Sequence, residues 1–208
     1  MKPIVVLLLI ALFQLSSPLW AVETVSATPT SLLDLPSPEK DKAQIIFLKP
    51  TLQVVGKVSV QIFDVTDTET KLVGVMLSKT RMILNVAPGK HRFMSTTFYG
   101  SAHFMEADLE PGKRYFVLLR AIYNYGFQFR PIKRDGPSDY RPENTPYESW
   151  IADSTENKMT PETEASYRGN KRSQKWVARA QQESWGKWLA KTPEQRAELT
   201  LNKTDFLD

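Results

Sequence analysis

The feature that most constrains this chain is a series of short apolar or alternating segments between Ala43 and Lys133, each closed by turn chemistry. Ala43 to Leu48 is an apolar run ended by Lys49-Pro50, and Val58, Val60 and Ile62 alternate with Ser59 and Gln61 before the turn-rich Asp64-Val65-Thr66-Asp67. Lys71 to Leu77, Arg81 to Val86, His91 to Thr97, Ala102 to Leu109, Arg114 to Ile122 and Phe127 to Lys133 complete the series. Ala87-Pro88-Gly89-Lys90 and Glu110-Pro111-Gly112-Lys113 read as turns, because proline presets φ and glycine accepts positive φ. About eight strands at roughly ten-residue spacing predict an antiparallel sandwich or barrel.

The pattern changes after Asp135-Gly136-Pro137. Thr145-Pro146, Thr160-Pro161 and Thr192-Pro193 each read as a helix start, since threonine caps free amides and proline costs no hydrogen bond at the first helical position. Glu148 and Gln195 stand where they would complete capping boxes. Gly169-Asn170 should break the longest helix, leaving Lys171 to Lys191 as its firm part. Strands first and helices last predict an α+β protein, an antiparallel β-sandwich with a helical C-terminal appendage. The expected units are a signal peptide (1–21), a proline-rich linker (22–42), a sandwich (43–136) and the appendage (137–208).

The leader reading rests on Lys2, the apolar run Ile4 to Phe13 and a small residue at Ala21, with Ala27 as a second cleavage point. The run is shorter than the roughly 20 apolar residues a membrane span needs. An exported protein is expected, in the periplasm or outside the cell. There is no cysteine, which excludes disulfides, thiolate chemistry, cysteine metal sites and a lipid-anchored cysteine. With 27 basic against 23 acidic residues the charge is nearly balanced, and export argues against a nucleic-acid partner.

The stretch from Pro88-Gly89-Lys90-His91 through Met105-Glu106-Ala107-Asp108-Leu109-Glu110-Pro111-Gly112-Lys113-Arg114-Tyr115-Phe116 resembles an uncharacterised bacterial exported family, the domain of unknown function 2846 or a close relative. The family pattern is a "PPGKH" turn, alternating acidic and apolar residues, and an "AGKxYY" turn. Here Ala87, Pro111 and Phe116 depart from it. The resemblance covers about residues 43–134. It implies an envelope β-sandwich and brings no catalytic residues with it.

No serine elbow, phosphate-binding loop, dinucleotide fingerprint or HExxH motif occurs. Asp64, Asp67 and Glu69 lack the glycine and terminal glutamate of a calcium loop. No cofactor or metal is expected. His91 and His103 are the only histidines. A hydrolase reading pairs one of them with Glu106 or Asp108; the structural reading has His91 bonding its preceding turn and both acids facing outward.

Two surfaces are candidates for binding. Phe98 and Tyr99, with Tyr123 and Tyr125, sit in loops expected at one end of the sandwich, beside the loop 50–56. Such rings suit a glycan, a peptide or an envelope protein, or else they cap the core. The second is the helix from Lys171, whose wheel gathers Val177, Ala178, Trp185, Trp188 and Leu189 on one side. Arg172, Lys175, Arg179 and Lys187 occupy the other, with Trp176 among them. Its apolar stripe packs on the sandwich, or it lies on an anionic membrane or polymer such as peptidoglycan. The acidic block from Asp139 to Glu164 precedes it and could pair with it. The sequence as a whole reads as an exported, non-enzymatic binding or structural module of the bacterial cell envelope.

Overall fold

The computed structural model describes residues 23–25, 31–50, 58–97, 100–122, 126–136 and 138–207. The expected leader (1–21) lies outside them. All eight expected strands form: β2 (Ala43–Lys49), β3 (Val60–Asp64), β4 (Lys71–Met76), β5 (Thr80–Val86), β6 (Gly89–Thr96), β7 (His103–Leu109), β8 (Arg114–Ile122) and β9 (Gly126–Pro131). Three short strands join them: β1 (Glu23–Val25), β10 (Thr155–Lys158) and β11 (Thr200–Leu201). One sheet has the order β1-β10-β5-β2-β8-β9, and the other β11-β7-β6-β3-β4.

The sandwich is therefore mixed, which corrects the antiparallel reading and the strand number. β2 pairs parallel with β8, β10 parallel with β5, and β11 parallel with β7. Sequence distance explains the omission: hairpins announce themselves by a turn, whereas β2 and β8 meet only after the chain has built most of the second sheet. The composition of β2 fits its place. It is buried at every position, as a central strand covered on both faces must be, so it shows a continuous apolar run instead of alternation.

Three apolar clusters define the layers. Phe47, Ile62, Phe93, Met105, Val117 and Phe129 belong to the cluster between the two sheets. Phe63, Met94 and Phe104, on the outer face of the five-stranded sheet, pack with Tyr167, Val177 and Trp188 from the helices α2 (Pro161–Gly169) and α3 (Lys171–Leu189). Ile46, Leu48 and Phe116, on the outer face of the six-stranded sheet, pack with Leu35, Tyr147 and Ile151, the last two from α1 (Tyr147–Ala152). The C-terminal third thus covers both faces and also contributes β10 and β11.

Local signals hold at most element ends. Gly89 and Gly112 have φ of +110° and +70°, as their turns require. Thr160 caps α2, accepting from the Thr163 amide, and Asn170 both ends α2 and caps α3. Thr192 and Gln195 form a complete capping box on α4 (Pro193–Ala197). The expected box at Thr145 does not form: Pro146 occupies the cap position of α1, and Thr145 is buried. Its hydroxyl was the expected cap, but α1 begins one residue later than the threonine–proline signal implies.

Candidate functional site

The strand arrangement sets the candidate loops at one end. β8 runs parallel to β2 and continues past its end to Ile122, so both strands finish toward the same end of the sheet, and β5 starts opposite Lys49 at Thr80. Ser95, near the end of β6, donates from Oγ to the Phe127 carbonyl at 2.7 Å. Gly100 and Gly126 nearly touch: a Cβ on Gly100 would fall 3.6 Å from the Gly126 Cα and 2.3 Å from the Thr97 Oγ1. The segments that carry the expected aromatic residues therefore leave the sheets side by side. Phe98, Tyr99, Tyr123 and Tyr125 themselves, and the loop 51–57, lie outside the described residues.

Helix α3 reaches this end. Its buried positions are Ser173, Val177, Ala180, Ser184 and Trp188, a stripe at helical spacing. Small residues inside it let the helix approach the sheet closely, and the Ser184 hydroxyl accepts from the Ala102 amide at 3.1 Å, which satisfies a polar group that burial would otherwise leave costly. Of the five residues expected on the packed side, Val177 and Trp188 are buried, Trp185 is half-buried, and Ala178 and Leu189 are exposed. Trp176 is half-buried rather than stranded among the bases. The wheel is thus rotated toward Ser173 and Ser184, two polar positions that hydropathy alone assigns to solvent.

Arg172, Lys175, Arg179 and Lys187 are all exposed. Arg179 pairs with Glu183 along the helix at 2.6 Å. Among the described residues the acidic segment before α3 does not reach this basic face: Glu164 pairs with Arg168, Glu156 with Arg81 and Lys158, and Glu143 with Arg141. Two adjoining recesses open where α3 meets the start of β7. One, of about 140 Å³, is lined by Gly100, Ser101, Trp176 and Lys187 and by the paired Arg179 and Glu183. The other, of about 250 Å³, is lined by His103, Gln128, Lys187, Trp188 and Lys191. Ser101, Ser184 and Lys187 belong to both. Two basic residues of the helix and the aromatic loop flanks therefore converge on one place, a juxtaposition no local pattern contains.

The histidines do not meet. His91 lies opposite Ala107 and His103 opposite Ser95, at different ends of the β6–β7 pair. His91 is held by the Ala87 carbonyl at 2.7 Å from Nε2, has Asp64 at 3.6 Å from Nδ1, and stacks on Phe93. Asp64 and the Ala87 bond raise its pKa above the ordinary imidazole value against the opposing effect of burial. Glu106 is taken by Arg92 at 2.9 Å, and the Arg92 guanidinium lies over Trp185, 4.7 Å from the ring centre. The acid beside His91 is thus Asp64, not Glu106. Among the described residues no group of three or more histidines and acids could hold a metal ion, and no helix is long and apolar enough to cross a membrane.

No family model matches the chain, and no curated protein matches it. Among solved structures, the NMR structure of a protein from Eubacterium rectale is similar over 47% of this chain and 92% of that one, at 18% identity and a TM-score of 0.30. A likeness of that size says nothing of function.

Proposed function

We propose that the chain is an exported binding module of the bacterial cell envelope; the resemblance to domain of unknown function 2846 implies an envelope β-sandwich. Its ligand is an anionic envelope polymer, with peptidoglycan as the first choice and an acidic envelope protein as the alternative. The observation that carries the reading is the convergence of Lys187 and Lys191 with Trp176, Trp188 and His103 on recesses at the loop end, where Arg179 is already paired with Glu183. Cations on a ledge beside aromatic rings suit carboxylate-bearing sugars and peptides, which present charge and flat apolar faces together. A peripheral membrane role is less well supported. The apolar stripe of α3 packs on Phe63, Met94 and Phe104, so among the described residues of the helix Leu189, 55% exposed, is the one large apolar side chain left mostly exposed to meet lipid.

The test is co-sedimentation of the mature protein with purified sacculi and with anionic vesicles over a range of salt. Binding to sacculi that weakens with salt, and weakens further in Lys187→Glu, supports the reading. Binding to vesicles alone overturns it in favour of the membrane.

A further inference from the structure

Lys49 ends β2, which is buried at every position, and is itself only 2% exposed. Its Nζ lies 3.2 Å from the Ser78 Oγ and 4.9 Å from the centre of the Phe127 ring. Among the described residues no carboxylate stands within ion-pair distance of it. A lysine so placed gives up hydration without a counter-charge, which favours the neutral amine. Burial accordingly pulls its pKa down to about 8. A neutral amine beside a hydroxyl can accept the hydroxyl proton, and serine–lysine pairs are a known variant of the nucleophile–base arrangement.

Ser78 is only half-buried and lies in the turn that crosses from β4 in one sheet to β5 in the other. The turn is tied down by hydrogen bonds: Lys79 takes a φ of +56°, the Thr80 hydroxyl donates to the Leu77 carbonyl, and the Thr155 amide donates to the Lys79 carbonyl. Beside it lies exposed apolar surface. Leu77 is 36% and Val58 40% exposed, two of the three large apolar residues so exposed among the described residues. Val60 and Met76 are paired, so Val58, two residues before one, and Ser78, two after the other, leave the sheet side by side.

We propose that Ser78 and Lys49 form a nucleophile–base pair that takes an acyl group from a carboxylic ester with an apolar acyl chain. The Ser78 oxygen adds to the ester carbonyl carbon as its proton passes to Lys49 Nζ. The tetrahedral adduct expels the alkoxide, which takes that proton from the Lys49 ammonium and departs as the alcohol. The product is an acyl-serine with Lys49 neutral again, so atoms and charge balance. Leu77 and Val58 receive the acyl chain. This reactivity goes beyond the binding reading and does not depend on it.

The test uses the full mature chain and p-nitrophenyl butyrate, with p-nitrophenyl acetate for comparison. Expected are release of nitrophenolate, one acyl adduct mapped by mass spectrometry to Ser78, faster reaction with butyrate, and a rate that rises with pH through a midpoint near 8. Ser78→Ala should leave no adduct. Lys49→Arg keeps the charge but cannot accept the proton, and should slow acylation roughly a hundredfold or more, the usual contribution of a general base. Lys49→Met, close in length and uncharged, serves if the arginine variant does not fold, and should be as slow. Absence of an adduct, label on lysines that persists in Ser78→Ala, or undiminished acylation in a folded Lys49 variant would overturn the pair. Sacculus binding by these variants is measured separately, so failure here and failure of the binding reading are distinguishable.

Discussion

Lys133 and Asp205 form an ion pair buried to 2% and 0% side-chain exposure, with Nζ and Oδ2 3.9 Å apart, that ties the C-terminus to the sandwich. The ammonium also donates to the carbonyls of Ala197 and Thr200 at 2.8 and 3.0 Å, just where the chain enters β11. The carboxylate accepts from the amides of Arg134 and Asn202. Each charged group is thereby hydrogen-bonded twice to backbone as well as paired, which offsets part of the cost of burying it.

Removing one partner leaves the other charged, buried and unmatched. Asp205→Ala should therefore destabilise by about 3–5 kcal/mol. Urea unfolding checks this. A midpoint equal to wild type would show that the C-terminus does not hold the fold.

The packing of α3 makes a graded prediction. Trp188, 2% exposed against Phe104, should cost about 3–5 kcal/mol on replacement by alanine, and half-buried Trp176 clearly less. Truncation before Lys171 removes α3, β11 and Asp205 together and should abolish cooperative unfolding. A truncated chain that melts like the intact one would mean that α3 is free to serve a membrane.

The His91–Asp64 contact predicts a pH dependence. The folded pKa of His91 is raised above 6.5, so its stabilisation is full below 6.5 and is lost as pH rises through the folded value. Burial pushes the Asp64 carboxyl up, but the bonds from His91 and Thr66 outweigh it and leave its pKa below 3.8. That contribution is present above 3.8 and lost as pH falls through the lower folded value. Stability should thus fall on the alkaline side of 6.5, and His91→Asn should flatten that slope in thermal unfolding measured at several pH values.

Gly112 should resist substitution. Its φ of +70° lies where a β-branched side chain is strained, and its amide donates to the Lys42 carbonyl at 2.7 Å. Gly112→Val should lower stability by more than about 1 kcal/mol. An unchanged denaturant midpoint would refute the turn's role.

What the residues determined by themselves is local. Alternation, one apolar run and turn chemistry placed the eight strands β2 to β9, because a strand's pattern and a turn's φ demand are properties of neighbours in the chain. Gly169-Asn170 broke the long helix and Thr192 capped the next for the same reason. The tertiary structure alone decided the parallel β2–β8 pair, the β10 and β11 additions, and the turn of α3 that buries Ser184 and exposes Leu189. It also decided that Lys49, the charge closing the apolar run of β2, would face Ser78. These depend on which surfaces meet across long stretches of chain, and the free energy of that meeting belongs to both partners, not to either segment's own pattern.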